Sequence, residues 1–246
     1  MRFRRRTALR ATLLATLALL LVATGALANE RESTYEITIT NLTGGQPFSP
    51  PVLVTHRAPA SLFHVGEPAS TGIQQIAENG NNGPLLASVE GNPRFVYDVQ
   101  EGSFPLVPAG TPGGQMFPDS ATYVITAGYT AKYLSIAMML VCTNDGFTGL
   151  DSLPIPGRVG RSITVYAYAY DAGTELNTED FADIVPPCQG LIGVTSDDPG
   201  TGESNPELAE GGVVAMHAGI AGGVDLLPEV HGWTEPVAMI TITRVD

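Results

Sequence analysis

The 246-residue chain sets 12 Lys and Arg against 25 Asp and Glu, a formal net charge of −13 at pH 7. Nucleic acid and anionic lipid are bound by basic patches, so this balance excludes both partner classes. It favours divalent cations and basic partners, although acidity also serves solubility alone in exported proteins.

The first segment in chain order reads as one that is removed. Met-Arg-Phe-Arg-Arg-Arg, an apolar run over 11–23 and Ala26-Leu27-Ala28 have the form of a signal peptide, too short for a membrane span. Residues 1–28 are therefore expected to direct export, with the mature chain starting at Asn29 and no membrane insertion after cleavage. Arg5-Arg6 leaves a twin-arginine route open, and no Cys lies near the cleavage site to carry a lipid anchor. Arg2, Arg4, Arg5, Arg6 and Arg10 leave with the peptide, so the mature chain holds 7 basic residues against 25 acidic ones. Residues 29–246 suffice for one sizeable core and are expected to form a single domain.

Tyr35 to Thr40 alternates apolar and polar residues, the period of a strand with one buried face. A turn at 41–45 and Pro50-Pro51 precede a second strand, Val52 to His56. Between Glu67 and Ala77 the spacing of Ile73, Ile76 and Ala77 predicts a short helix, capped by Ser70 or Thr71 and ended at Asn79-Gly80. Pro84 to Val89 begins a second helical stretch. Arg94 to Val99 and Thr122 to Ala127 are strand candidates joined by a Pro/Gly-rich connection. Tyr133 to Val141 and Ile163 to Tyr170 follow as strands. In the latter, Tyr166, Tyr168 and Tyr170 form an aromatic stripe of the kind that usually packs. Thr195 to Glu210, with Asp197, Asp198, Glu203 and Glu207, lacks EF-hand spacing and reads as a solvated mobile loop. Val237 to Val245 closes the chain, and its Ile240-Thr241-Ile242-Thr243 repeats Ile37 to Thr40. Strands of this number with one or two short helices and long loops predict an all-β antiparallel sandwich.

Two strands end in the same way. The run Ile136 to Val141 stops at Asp145-Gly146, and the run Ile163 to Tyr170 stops at Asp171-Ala172-Gly173-Thr174-Glu175. Both turns reach one end of a sheet only if their strands are parallel or lie in different sheets with suitable topology. Asp145, Asp171 and Glu175 then form a set of hard oxygen donors, which suits calcium better than zinc or copper. Gly173 lets the backbone fold tightly enough for 171 and 175 to face one ion. The alternative is a turn in which Asp171 bonds backbone N–H groups and Glu175 is merely solvated.

Thr143-Asn144-Asp145-Gly146-Phe147 and Asp171-Ala172-Gly173-Thr174-Glu175 resemble the two acidic signatures of the spondin domain family, the domain of F-spondin and mindin. In the animal members the motifs read Ser-Pro-Asp-Trp-Phe-Val-Gly and Asp-Ala-Gly-Thr-Asp. A weaker likeness extends over most of the mature chain, including Asn41-Leu42-Thr43 and Pro50 to His56. The resemblance implies a C2-like β-sandwich, a calcium ion held by Asp145, Asp171 and Glu175, and a role in adhesion or matrix binding. Two positions depart from the pattern: Gly146 stands for Trp, and Glu175 for Asp.

Cys142 and Cys188 are the only cysteines, and in an oxidising compartment they are expected to pair. His56, His64, His217 and His231 show no short zinc spacing, and there is neither a Gly-x-Ser-x-Gly elbow nor a phosphate loop. The leading expectation is therefore a non-enzymatic module that binds an extracellular protein or glycan. A secreted hydrolase with a concealed Ser/His/Asp site, and a purely structural surface protein, are the alternatives.

Overall fold

The computed structural model describes residues 32–246, so the signal-peptide segment lies outside the described residues. Strand β1 (Ser33–Asn41) pairs in antiparallel register with β4 (Ser120–Ala127) and β10 (Ala238–Arg244), and β10 pairs with β7 (Ser162–Ala167), giving a four-stranded sheet in the order β4-β1-β10-β7. The repeated Ile-Thr-Ile-Thr stretches face each other across β1 and β10: Ile37 opposes Ile242, and Ile39 opposes Ile240. All four isoleucines are fully buried. The outward threonines bond across the sheet, Thr38 with Thr122 and Thr164 with Thr241. Alternation thus separates a dry face from a wet one along each strand.

The second sheet has six strands in the order β3-β2-β5-β6-β8-β9: β2 (Val52–His56), β3 (Val96–Glu101), β5 (Tyr133–Met139), β6 (Gly146–Pro154), β8 (Ala169–Asp171) and β9 (Ala215–Met216). All its pairings are antiparallel. Leu53, Leu134, Ile136 and Met138 project from it into the space between the sheets, where they meet the isoleucines of the first. The all-β antiparallel sandwich expected from the alternation is therefore the fold.

A third layer covers the other face of the six-stranded sheet. Helices α1 (Thr71–Asn79) and α2 (Gly83–Glu90) pack Ile73, Ile76 and Leu85 against Val52, Val54, Ala137 and Met139. Both faces of β2 and β5 are thereby buried, so their apolar residues do not alternate with exposed polar ones, and Thr55, His56 and Ser135 lie inside as well. Ser70 caps α1 by accepting the Ile73 N–H at 3.2 Å, and Gly80 ends it in the left-handed region. Two shorter helices, α3 (Pro187–Ile192) and α4 (Pro228–His231), have too few turns to show a periodic pattern. Cys188 on α3 is joined to Cys142 in a disulfide, as expected for an oxidising compartment. Among the described residues no helix is long and apolar enough to cross a membrane.

The run Ile163 to Tyr170, expected as one strand, is two. The chain leaves β10 after Ala167 and joins β6 at Ala169, so β7 and β8 belong to different sheets. The tyrosine stripe divides accordingly. Tyr170 packs against Phe63 and Phe147 with ring centroids 5.3 and 5.5 Å apart, whereas Tyr166 and Tyr168 are exposed.

Candidate metal centre

β5 and β8 flank β6, and each runs antiparallel to it, so they are parallel to each other. That topology brings both acidic turns to the same end of the six-stranded sheet. Gly146, at the start of β6, lies opposite Asp171, at the end of β8. The turn before β6 is closed by Thr143, whose hydroxyl donates to the Leu140 carbonyl and accepts the Gly146 N–H at 2.9 Å. A Cβ at position 146 would fall 2.4 Å from that hydroxyl. Glycine therefore belongs to this form of the turn, and the bulky residue of the animal spondin motif would not fit beside Thr143.

Asp145 is fully buried. Its Oδ2 accepts the backbone N–H of Thr174 at 2.8 Å and of Glu175 at 3.1 Å, with the Thr174 hydroxyl at 3.3 Å. Its Oδ1 has no hydrogen-bond partner. Burial, and then the charge of Asp171, push its pKa up to about 6, against the pull of the Glu175 and Thr174 donors. Asp171 takes the Gly173 N–H on Oδ1 at 2.7 Å and the Asn177 amide on Oδ2 at 2.8 Å. Gly173 sits at φ +67°, and a Cβ there would meet the Val213 nitrogen at 2.6 Å, so the tight turn requires glycine on both counts.

One carboxylate oxygen each of Asp145, Asp171 and Glu210 lie within 4.8 Å of one another. The sequence-derived set is thus brought together in two of its three members. Glu175 is buried but not in this group; its Oε1 accepts the Asn205 N–H at 3.1 Å. Burial raises its pKa to about 7, with the nearby Glu78 adding to the rise and the Asn205 N–H opposing it. The alternative reading of this turn is met in one half: Asp171 does bond backbone N–H, but Glu175 is not solvated.

Glu210 comes from the segment expected to be a mobile loop. In the structure that segment is tied down. Leu176 N–H donates to Leu208, Glu210 N–H to Thr174, Gly212 N–H to Gly173, and Ser204 accepts from Gln75 and Asn79 of α1. A sequence signal for Glu210 exists: Glu210-Gly211 repeats the acid-then-glycine form of Asp145-Gly146. The other acidic residues of the segment are exposed, and Asp198 lies with Asp180 and Asp225 in a second, solvent-facing acidic group.

The histidines fall elsewhere. His56 is fully buried, with its Nε2 2.8 Å from the Ser135 hydroxyl and its Nδ1 2.8 Å from the Arg57 carbonyl. His64 pairs with Asp151 at 2.8 Å, and Ser61 donates to that same carboxylate, which leaves the acid and not the imidazole in the middle. His217 accepts the Gly219 N–H, and its ring meets Trp233 edge-on at 5.0 Å. His231 lies beside Cys142 and Cys188, whose sulfurs are committed to the disulfide.

Compared with known families and curated proteins, the chain matches no family model and no curated sequence.

Proposed function

We propose that the chain is a secreted, spondin-like β-sandwich module that binds calcium through Asp145 and Asp171. Its role on this reading is adhesion or matrix binding to an extracellular protein or glycan, with no reaction catalysed. The observation that carries the metal reading is the Asp145 carboxyl group. It is fully buried, one oxygen is unpartnered, and a second acid stands beside it. Leaving a buried carboxylate oxygen without a donor costs stability, and a second negative charge adds to the cost. A cation between the two acids removes both penalties. The donors are all oxygens on turns, the chemistry that calcium takes in preference to softer metals. The acidic surface, the disulfide and the export segment all fit an extracellular setting.

The test is thermal melting of the exported protein in millimolar calcium and in EDTA. Binding to the folded state stabilises it by about 2.7 kcal/mol at a hundredfold excess over Kd. Calcium is expected to raise the melting temperature of the wild type and to leave Asp171→Asn nearly unmoved. Magnesium should substitute poorly, because it demands a tighter octahedron. Equal melting temperatures in calcium and EDTA for the wild type would remove the metal reading.

A further inference from the structure

We propose that Glu210, not Glu175, supplies the third carboxylate to the ion, so that calcium fastens the 206–216 segment onto the turn that ends β8. This rests on the calcium reading above and assigns the ligand set within it.

The assignment follows from strand register. Glu175 and Ala209 form an antiparallel bridge, flanked by Leu176 N–H to Leu208 O at 2.9 Å and Glu210 N–H to Thr174 O at 3.2 Å. Residues 174 and 210 are thus opposite each other, as are 175 and 209. Directly opposed residues project to the same face, and successive residues project to opposite faces. Thr174 faces Asp145, because its hydroxyl reaches Asp145 Oδ2. Glu210 therefore shares the Asp145 face. Glu175 projects the other way, to the Asn205 N–H and the neighbourhood of Glu78 on α1. The distances agree with the register, since Glu210 and not Glu175 joins Asp145 and Asp171 within 4.8 Å.

The second observation is the unpartnered Oδ1 of the wholly buried Asp145 at the bottom of this group. Burial is graded across the three acids: Asp145 is buried, Asp171 half-buried and Glu210 exposed. The Glu210 carboxylate makes no hydrogen bond or ion pair among the described residues, so it is free to turn onto an ion. Glu175 instead anchors the preceding part of the segment by accepting the Asn205 N–H. Calcium affinity follows the number of charged ligands, so losing one of three carboxylates is a large change for the site.

The experiment is calorimetric titration of calcium chloride into EDTA-treated, exported protein. Wild type, Asp171→Asn, Glu210→Gln and Glu175→Gln are compared. Glu210→Gln should raise Kd by at least about tenfold without lowering the melting temperature in EDTA, since without an ion its charge only repels Asp145 and Asp171. Glu175→Gln keeps an oxygen for Asn205 and should bind calcium within about threefold of wild type. In the wild type, calcium should also slow hydrogen exchange of the Glu210 and Gly212 amides. Wild-type affinity in Glu210→Gln, with binding lost in Asp171→Asn, overturns the ligand assignment and leaves the calcium reading standing. No binding by wild type overturns both. If Glu175→Gln fails to fold, the Glu210→Gln comparison decides by itself.

Discussion

The β1–β10 ribbon and the turns at the far end of the six-stranded sheet are built on opposite principles. At the centre of the ribbon the inward residues Ile37, Ile39, Ile240 and Ile242 are apolar and dry, the outward Thr38, Thr40, Thr241 and Thr243 bond to hydroxyls on neighbouring strands, and the backbone is paired in the ladder. At the turns an acid is buried without enough donors, beside a second acid, and glycines hold the backbone where other residues would clash. The ribbon is complete as a folding unit. At the turns one oxygen of a buried acid, Asp145 Oδ1, has no partner among the described residues, and on the calcium reading proposed above an ion supplies it. Local conflicts of this kind inside a consistent fold are found at functional or strained sites.

The comparison is tested first where the expected effect is largest. Ile240 is fully buried at the centre of the ribbon, opposite Ile39 on one side and Val165 on the other. Ile240→Ala should cost about 2–5 kcal/mol in urea denaturation, equally with calcium and with EDTA. A loss that appeared only in EDTA would show the ribbon to depend on the ion and would blur the distinction.

The disulfide joins the two principles, because Cys142 immediately precedes the first acidic turn and Cys188 anchors α3 beneath it. Closing a loop of 46 residues limits the unfolded chain by up to about 4 kcal/mol. Cys142→Ala/Cys188→Ala should therefore melt lower, and its gain from calcium should shrink, since the turn loses a tether. Thiol labelling of denatured, unreduced wild type should find no free cysteine; two labelled residues would contradict the pairing.

The smallest expected effect lies in the six-stranded sheet, at His56, the last residue of β2 and away from the acidic turns. Burial lowers the pKa of His56 below its usual 6.5, with the Arg57 carbonyl and then Asp151 opposing the shift. Between the lowered value and 6.5 the unfolded chain binds a proton that the folded chain does not. Stability from this group is thus present above 6.5 and lost as pH falls through the window below it. His56→Gln should lose less stability than wild type between pH 7.5 and 5.5 in EDTA. Parallel losses in the two proteins would show that His56 takes no part in acid sensitivity.

Much of the ribbon was legible because its information is local. Tyr35 to Thr40 and Val237 to Val245 carry a period of two, and α1 carries its own cap, spacing and terminal glycine. The boundary inside Ile163 to Tyr170 was not legible, since the apolar pattern is unbroken where the chain changes sheets at Tyr168. β6 was hidden by glycines and short polar residues, Gly146 to Ser152, whose strand state is imposed by β5 and β8 on either side. Two of the site's acids were visible as strand-ending turns. Their meeting depended on β5 and β8 being parallel, which only the intervening strand establishes. Glu210 belongs to a segment whose composition reads as loop, and its place is set by pairing with 173–176, a contact between distant parts of the chain.

The central claim is that the buried acid at the turns is matched to a metal ion. Its most direct measurement is the metal content of the exported protein after dialysis against millimolar calcium, read against the dialysis buffer. The account predicts one calcium per chain for wild type and none above the dialysis buffer for Asp145→Asn, with that variant still folded because Asn keeps an oxygen for the Thr174 and Glu175 N–H groups. Wild type free of calcium, or an Asp145→Asn variant that retains it, would contradict the account.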